Sequence, residues 1–210
     1  MYRVHLDYER VEPIGPHWYG QRPGGTQLPP VPGSPHSFYP VLTFTLGSLS
    51  PDVFGGATLD VPCGQIVLPH YFASNFTIED LFFEFGDDGR VVRLRDAASF
   101  ESAQIPVYAD DIDLRPCALT LHRLPRTQDP ASEDFDPDQL EWPHHQLGGV
   151  PYLVQPFDEP LVCPECGTRM CFFAQIANDR RLHVTFEDSG VAYYWWCDPC
   201  RILGCHVAGA

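Results

Sequence analysis

The sequence predicts a mainly β protein built from antiparallel sheets, and three observations carry that expectation. Short apolar runs recur along the chain with Gly, Pro, Asn or Asp between them. Several of these runs alternate apolar and polar residues with a period of two. Helical periodicity is confined to brief stretches at 77–81, 96–102 and 137–141.

Residues 1–12 hold one strand. Tyr2, Val4, Leu6 and Tyr8 fall on one side and Arg3, His5 and Asp7 on the other, the pattern of a half-buried strand. Residues 13–40 form a connector in which eight prolines and five glycines leave no room for a regular element. It is expected to lie on or beside the domain. Within it, Leu28-Pro29-Pro30-Val31-Pro32 fits either a polyproline II ligand or a loop draped over the protein's own surface.

Residues 41–125 form a first β unit, with candidate strands at 41–46, 57–61, 65–72, 80–85, 90–94 and 118–124. Asp87-Asp88-Gly89 is a hairpin-turn signal between two of them. Residues 126–147 form an acidic loop. Residues 148–210 form a second β unit, with candidate strands at 152–155, 170–177, 182–186, 190–196 and 202–207. Its run Tyr193-Tyr194-Trp195-Trp196 places one aromatic pair on each face of a strand. One face belongs in the core; the other either packs beneath a second layer or meets a partner.

The two units echo each other. Phe44 followed by Gly64-Gln65-Ile66 resembles Phe173 followed by Gly190-Val191-Ala192, an apolar strand, a linker, then Gly and a second apolar strand. Two related β units about a pseudo-twofold axis would produce this, and so would chance.

Composition sets the function classes. Hydrophobic residues make up 44% of the chain and aromatics 13%, enough for a packed interior. No stretch of 18 apolar residues occurs, and the N-terminus has no apolar secretory region, so a cytoplasmic protein without a membrane span is expected. The net charge of −15 repels phosphate backbones, which argues against direct nucleic-acid binding. All 13 basic residues other than histidine are arginine, so no lysine is present to form a Schiff base.

Residues 101–150 hold ten acids and three arginines, a net −7 that includes Asp110, Asp111, Asp113, Asp134, Asp136 and Asp138. The last three have the spacing of a calcium loop. Gln139 stands where the turn needs Gly, however, and His145 where the bidentate Glu belongs, so a solvated acidic loop is the simpler reading.

Eight cysteines dominate the chemistry. Cys163-Pro164-Glu165-Cys166 and Cys197-Asp198-Pro199-Cys200 are two Cys-x-x-Cys knuckles with 30 residues between them. In a reducing compartment such pairs hold metal rather than disulfides. A tight two-residue turn directs both sulfurs of a knuckle at one ion, and two knuckles complete a tetrahedral site.

The knuckles can meet. The first immediately precedes the strand expected at 170–177 and the second immediately follows that at 190–196, so antiparallel pairing converges four sulfurs. The geometry is that of a zinc ribbon with an enlarged hairpin, binding one structural zinc through Cys163, Cys166, Cys197 and Cys200. Cys171, Cys205 and His206 lie nearby without paired spacing. Cys63 and Cys117 read as buried thiols.

The segment Leu147-Gly148-Gly149-Val150-Pro151-Tyr152-Leu153-Val154-Gln155, then the first knuckle, then Phe172-Phe173-Ala174-Gln175-Ile176, resembles the YwqG-like family of bacterial proteins. It is also similar to their eukaryotic relatives, the programmed cell death protein 2 group. The resemblance covers residues 144–200, and more loosely 40–72. It implies a β-rich scaffold that binds other proteins, in immunity or chaperone-like roles, and it implies no catalytic residues.

The expected function is therefore a zinc-stabilised, acidic protein-binding module acting on a basic protein partner. The alternative is a hydrolase that uses His144 and His145, or Cys171 or Cys205 with His206 as a thiol–imidazole pair.

Overall fold

In a computed structural model of the chain, the described residues are 2–6, 15–20, 28, 39–49, 51–54, 59, 61, 64–70, 80–88, 91–95, 116–140, 145–155, 161–179 and 190–208. Among them are eleven strands: β1 (Tyr2–Leu6), β2 (Trp18–Tyr19), β3 (Tyr39–Thr45), β4 (Gln65–His70), β5 (Leu81–Phe85), β6 (Val91–Arg95), β7 (Cys117–Arg123), β8 (Gln146–Leu147), β9 (Cys171–Ala177), β10 (Val191–Cys197) and β11 (Ile202–Ala208). No helix among the described residues is long and apolar enough to cross a membrane.

The strands follow one hydrogen-bonded order, β4-β3-β2-β7-β1-β8-β9-β10-β11-β5-β6, with every pairing antiparallel. β7 divides this order into two sheets. Cys117 and Ala118 pair with β2, while Leu119 to Arg123 pair with β1 on the other edge. The N-terminal strand is thus interior, bonded to β7 on one side and β8 on the other.

The two sheets close on each other over one main core. Phe44 of β3 meets Phe173 of β9 edge-on at 6.1 Å, Phe54 stacks on the same Phe173 at 5.1 Å, and Tyr194 of β10 donates to the carbonyl of Pro69 in β4. Burying these rings and their aliphatic neighbours is the main stabilising term for a fold of this kind.

β10 is buried on both faces. Ala192, Tyr194 and Trp196 belong to the main core, and Val191, Tyr193, Trp195 and Cys197 to a second, smaller one. A segment from Leu161 to Met170, which we call the flap, covers that outer face with Leu161, Cys163 and Met170. Opposite Tyr194 and Trp195, β9 carries a bulge at Phe173. The bulge turns Phe173 inward while Phe172 stays outside against Trp195, at 5.4 Å. The second aromatic pair therefore packs beneath a second layer.

Most expected strands form within two residues of their expected bounds. The expected strands at 57–61 and 152–155 do not form at their described residues. The strand expected at 182–186 and the turn at 96–102 lie outside the described residues, as do 77–79 of the turn at 77–81; Leu81 opens β5. The turn at 137–141 appears as a 3-10 turn over Pro137–Gln139. The connector 13–40 needs correcting, because Trp18 and Tyr19 form a strand between β3 and β7. Tertiary partners specify it: Gly20 N donates to Val41 O at 2.9 Å and Leu119 N to His17 O at 3.1 Å.

β3–β4 and β9–β10 are hairpins of the same construction. Their innermost pairs are Thr45↔Gln65 and Ala177↔Val191, so Gly64 and Gly190 occupy like places, but the counterpart of Phe44 is Ile176. The sequence echo aligns the glycines correctly and the phenylalanines three residues out. β5, from the first expected unit, hydrogen-bonds to β11 of the second and carries β6 on its outer edge.

Candidate metal centre

The flap is a tight hairpin. Met170 N donates to Leu161 O at 2.8 Å, Val162 bridges Arg169, and Cys163 N donates to Thr168 O at 2.9 Å. Its tip is the first knuckle, where Gly167 takes a left-handed φ of 69° and returns its N–H to Cys163 O at 2.9 Å.

The second knuckle is the turn joining β10 to β11. Arg201 N donates to Asp198 O at 3.2 Å, and Arg201 takes a left-handed φ of 52° in the place that Gly167 holds in the first knuckle. Three contacts brace it. Trp196 Nε1 donates to Asp198 Oδ1 at 3.0 Å, Phe85 N donates to Arg201 O at 2.9 Å, and Arg201 Nη1 meets Asp87 Oδ1 at 2.6 Å.

Antiparallel pairing of β9 with β10 then brings the knuckles together, with Cys171 opposite Trp196. The Sγ atoms of Cys163, Cys166, Cys197 and Cys200 all lie within 4.8 Å of one another, close enough to hold one metal ion. Cys166 Sγ and Cys197 Sγ are 3.6 Å apart, against about 3.8 Å for a regular tetrahedron with metal–sulfur bonds of about 2.3 Å. All four cysteines are free of disulfides. Among the described residues this is the only group of three or more His, Cys, Asp or Glu placed to share an ion.

The four sulfurs differ in environment. Cys163 and Cys197 are buried in the second core, Cys200 is half-buried and Cys166 is exposed. The hydroxyl of Thr168 lies 2.9 Å from Cys166 Sγ and, with the Thr168 amide, pulls that thiol down to about 6. Desolvation pushes Cys197 up to about 11 and raises Cys200 as well, the latter with help from hydrogen bonds to Cys166 and Cys163. Thr168 is a functional neighbour that spacing alone did not single out. The signal was the Cys-Gly-Thr ending of the knuckle, whose turn aims the hydroxyl back at the sulfur.

The other candidates are separated. Cys171 is exposed at the start of β9 and outside the four-sulfur group. Cys205 is buried beside Tyr194 in the main core, and burial drives its thiol strongly upward. His206, one residue on, faces the other way and bonds Asp80 at 2.7 Å. Cys171 lies level with Trp196 and His206 with Tyr193, so neither thiol shares a site with that imidazole. His145 is buried with Nε2 3.5 Å from Asp179 Oδ2, and His144 lies outside the described residues.

Asp134 pairs with Arg126 at 3.1 Å, and Asp136 accepts from Asp138 N and from Gln139 Nε2 to cap the turn at Pro137. Asp110, Asp111 and Asp113 lie outside the described residues, as does Cys63; Cys117 is a buried thiol. A second polar centre went unforeseen. Thr45 N donates to His17 Nδ1 at 3.2 Å, which leaves the proton of neutral His17 on Nε2, 3.2 Å from Ser48 Oγ. Ser48 in turn donates to Thr45 O at 2.7 Å. His17 Nδ1 is therefore occupied and Nε2 is a donor, an arrangement that holds β2 to β3 and gives Ser48 no base.

No protein-family model, no curated protein and no solved structure matches this chain.

Proposed function

We propose that the chain is an acidic β scaffold, stapled by one structural zinc, that binds a basic protein. The observation that carries the zinc is the convergence of four cysteine sulfurs and no other ligand type, the donor set that zinc takes in closed sites. Four thiolates leave no coordination position for water, so the ion serves folding rather than catalysis. It ties the flap, through Cys163 and Cys166, to the end of β10 and its turn, through Cys197 and Cys200. Reduced sulfurs are needed throughout, a requirement that a reducing compartment such as the cytoplasm meets.

The binding role is supported by the net charge of −15 and by the separation of Cys171 and Cys205 from the imidazole of His206. The resemblance to the YwqG-like family points that role toward immunity or chaperone-like action. A charge field of this sign accelerates encounter with a basic partner and loses strength as salt screens it.

The test is purification with the product of the adjacent gene, followed by stopped-flow association at low and high salt. A stoichiometric complex is expected, with an on-rate that falls with salt and is flattened when Asp110, Asp111, Asp113, Asp134, Asp136 and Asp138 become Asn. An on-rate indifferent to both would remove the charge-steered reading. A hydrolytic turnover abolished by His145→Ala in a folded protein would replace the binding role with catalysis.

A further inference from the structure

We propose that Cys166 is an oxidation site for hydroperoxides, and that Cys197 resolves it into a disulfide between the knuckles that expels the metal yet keeps the flap closed. Only the metal's departure rests on the zinc reading above; the choice of sulfurs rests on burial and distance.

Among the four ligands Cys166 is the exposed one, so a small oxidant in solvent reaches it first. Cys197 is buried, out of the oxidant's reach, but its sulfur lies 3.6 Å from that of Cys166. Thr168 Oγ1 lies beside the pair, 2.9 Å from Cys166 Sγ and 4.0 Å from Cys197 Sγ, placed to donate to oxygen arriving at Cys166.

The Cys166 thiolate attacks the terminal peroxide oxygen, the O–O bond breaks, and sulfenic acid forms with release of hydroxide, or of alkoxide from an alkyl hydroperoxide. The Cys197 thiolate then attacks the Cys166 sulfur and expels a second hydroxide. Two thiolates are oxidised by two electrons and the peroxide is reduced. Left with two of four ligands, the ion dissociates.

The pairing decides the structural outcome. Cys166 is on the flap and Cys197 is the last residue of β10, so their disulfide joins the same two elements that the metal joins. A disulfide within either knuckle would leave the flap untied over Tyr193 and Trp195. Oxidation through Cys166 and Cys197 thus exchanges one staple for another, whereas simple metal removal under reducing conditions opens the flap.

The sequence makes the test direct. Trypsin cleaves after Arg126, Arg169, Arg181 and Arg201, placing Cys163 and Cys166 in one peptide, Cys171 in a second, and Cys197 and Cys200 in a third. Purified protein of measured zinc content is treated with sub-stoichiometric hydrogen peroxide, and zinc release, non-reducing peptide masses and hydrogen exchange across 161–170 are recorded. The proposal expects one zinc released per disulfide, peptides 127–169 and 182–201 joined, fragment masses that place the link at Cys166 and Cys197, Cys171 unmodified, and the flap as protected as before. Chelation under reducing conditions should release the same zinc and lose that protection.

Disulfides confined within single peptides, oxidation of Cys171 ahead of Cys166, or equal loss of flap protection under both treatments would overturn it. A protein that carries no metal would defeat the zinc reading alone, because fragmentation of the joined peptides from metal-free protein still reports which sulfurs pair. Cys171→Ser should leave every readout unchanged.

Discussion

Gln146 and Gln175 lie opposite each other across the β8–β9 ladder, both fully buried, and both hold the loop at 148–152. Gln146 Nε2 donates to Gly148 O at 2.9 Å and Val150 O at 2.7 Å, while Gln175 Oε1 accepts from Tyr152 N at 2.9 Å. Tyr193 completes the clasp, accepting from Val154 N and donating to Tyr152 O, each at 3.0 Å. The Gly-Gly-Val-Pro-Tyr run and the glutamine of β9, distant in sequence, are one structural device.

Replacing Gln175 with Leu leaves the half-buried Tyr152 amide without its acceptor, and replacing Gln146 with Leu strips two carbonyls of their donor. Each change is expected to destabilise the fold by about 1–3 kcal/mol in chemical denaturation. The double variant should cost less than the sum, since both serve one loop. Strict additivity would show that the two side chains act independently.

Gly148 and Gly167 separate two roles of glycine. Both have positive φ, but a Cβ at Gly148 would collide with the backbone of Val53, whereas Gly167 faces open space. Gly167→Ala should cost about 1–2 kcal/mol for the backbone conformation alone. Gly148→Ala should cost clearly more in the same denaturation assay, because neither backbone can yield cheaply. Equal losses would mean that the Val53 contact relaxes freely.

Arg201 occupies the place of a knuckle glycine at the cost of a left-handed backbone. Its partner Asp87 is fully exposed, so that ion pair holds little in water. Arg201→Gly is expected to be more stable than Arg201→Ala by about 1 kcal/mol, since both lose the pair and only glycine relieves the backbone. Equal melting of the two variants would contradict this.

His17 makes the fold sensitive to acid. Burial lowers its pKa below the ordinary value, and the neutral ring is the form that accepts the Thr45 amide. A depressed folded pKa gives stability that is complete above the unfolded value of about 6.5 and is lost as pH falls toward the folded value. The loss of unfolding free energy between neutral pH and pH 5 should therefore be smaller in His17→Gln than in the parent. An identical pH slope would show that His17 titrates alike in both states.

The four-cysteine cluster was legible because its information is local. Each knuckle is written in four residues, and each abuts a strand whose apolar run is unmistakable. Trp18 and Tyr19 were not legible, because a two-residue strand among prolines has no periodicity of its own and is specified by β3, β7 and His17. The run at 152–155 misled for the opposite reason. Its residues look like a strand, but the amides of Tyr152 and Val154 go to Gln175 and Tyr193 side chains instead of a neighbouring ladder. The burial of β10 on both faces could be read as an option, and only the flap folding back across Trp195 decides it.

Cobalt titration of the metal-free, reduced protein tests the four-sulfur site most directly. Cobalt reports its ligands by colour, and four thiolates in a tetrahedron give intense visible bands that zinc then abolishes by displacement. The account predicts saturation at one equivalent, full displacement by zinc, and recovery of hydrogen-exchange protection across 161–170 in step with the bands. Cys171→Ser should not alter the titration. A pale spectrum without sulfur charge-transfer bands, or metal uptake that leaves the flap unprotected, would contradict the claim that Cys163, Cys166, Cys197 and Cys200 staple the flap to the sheet.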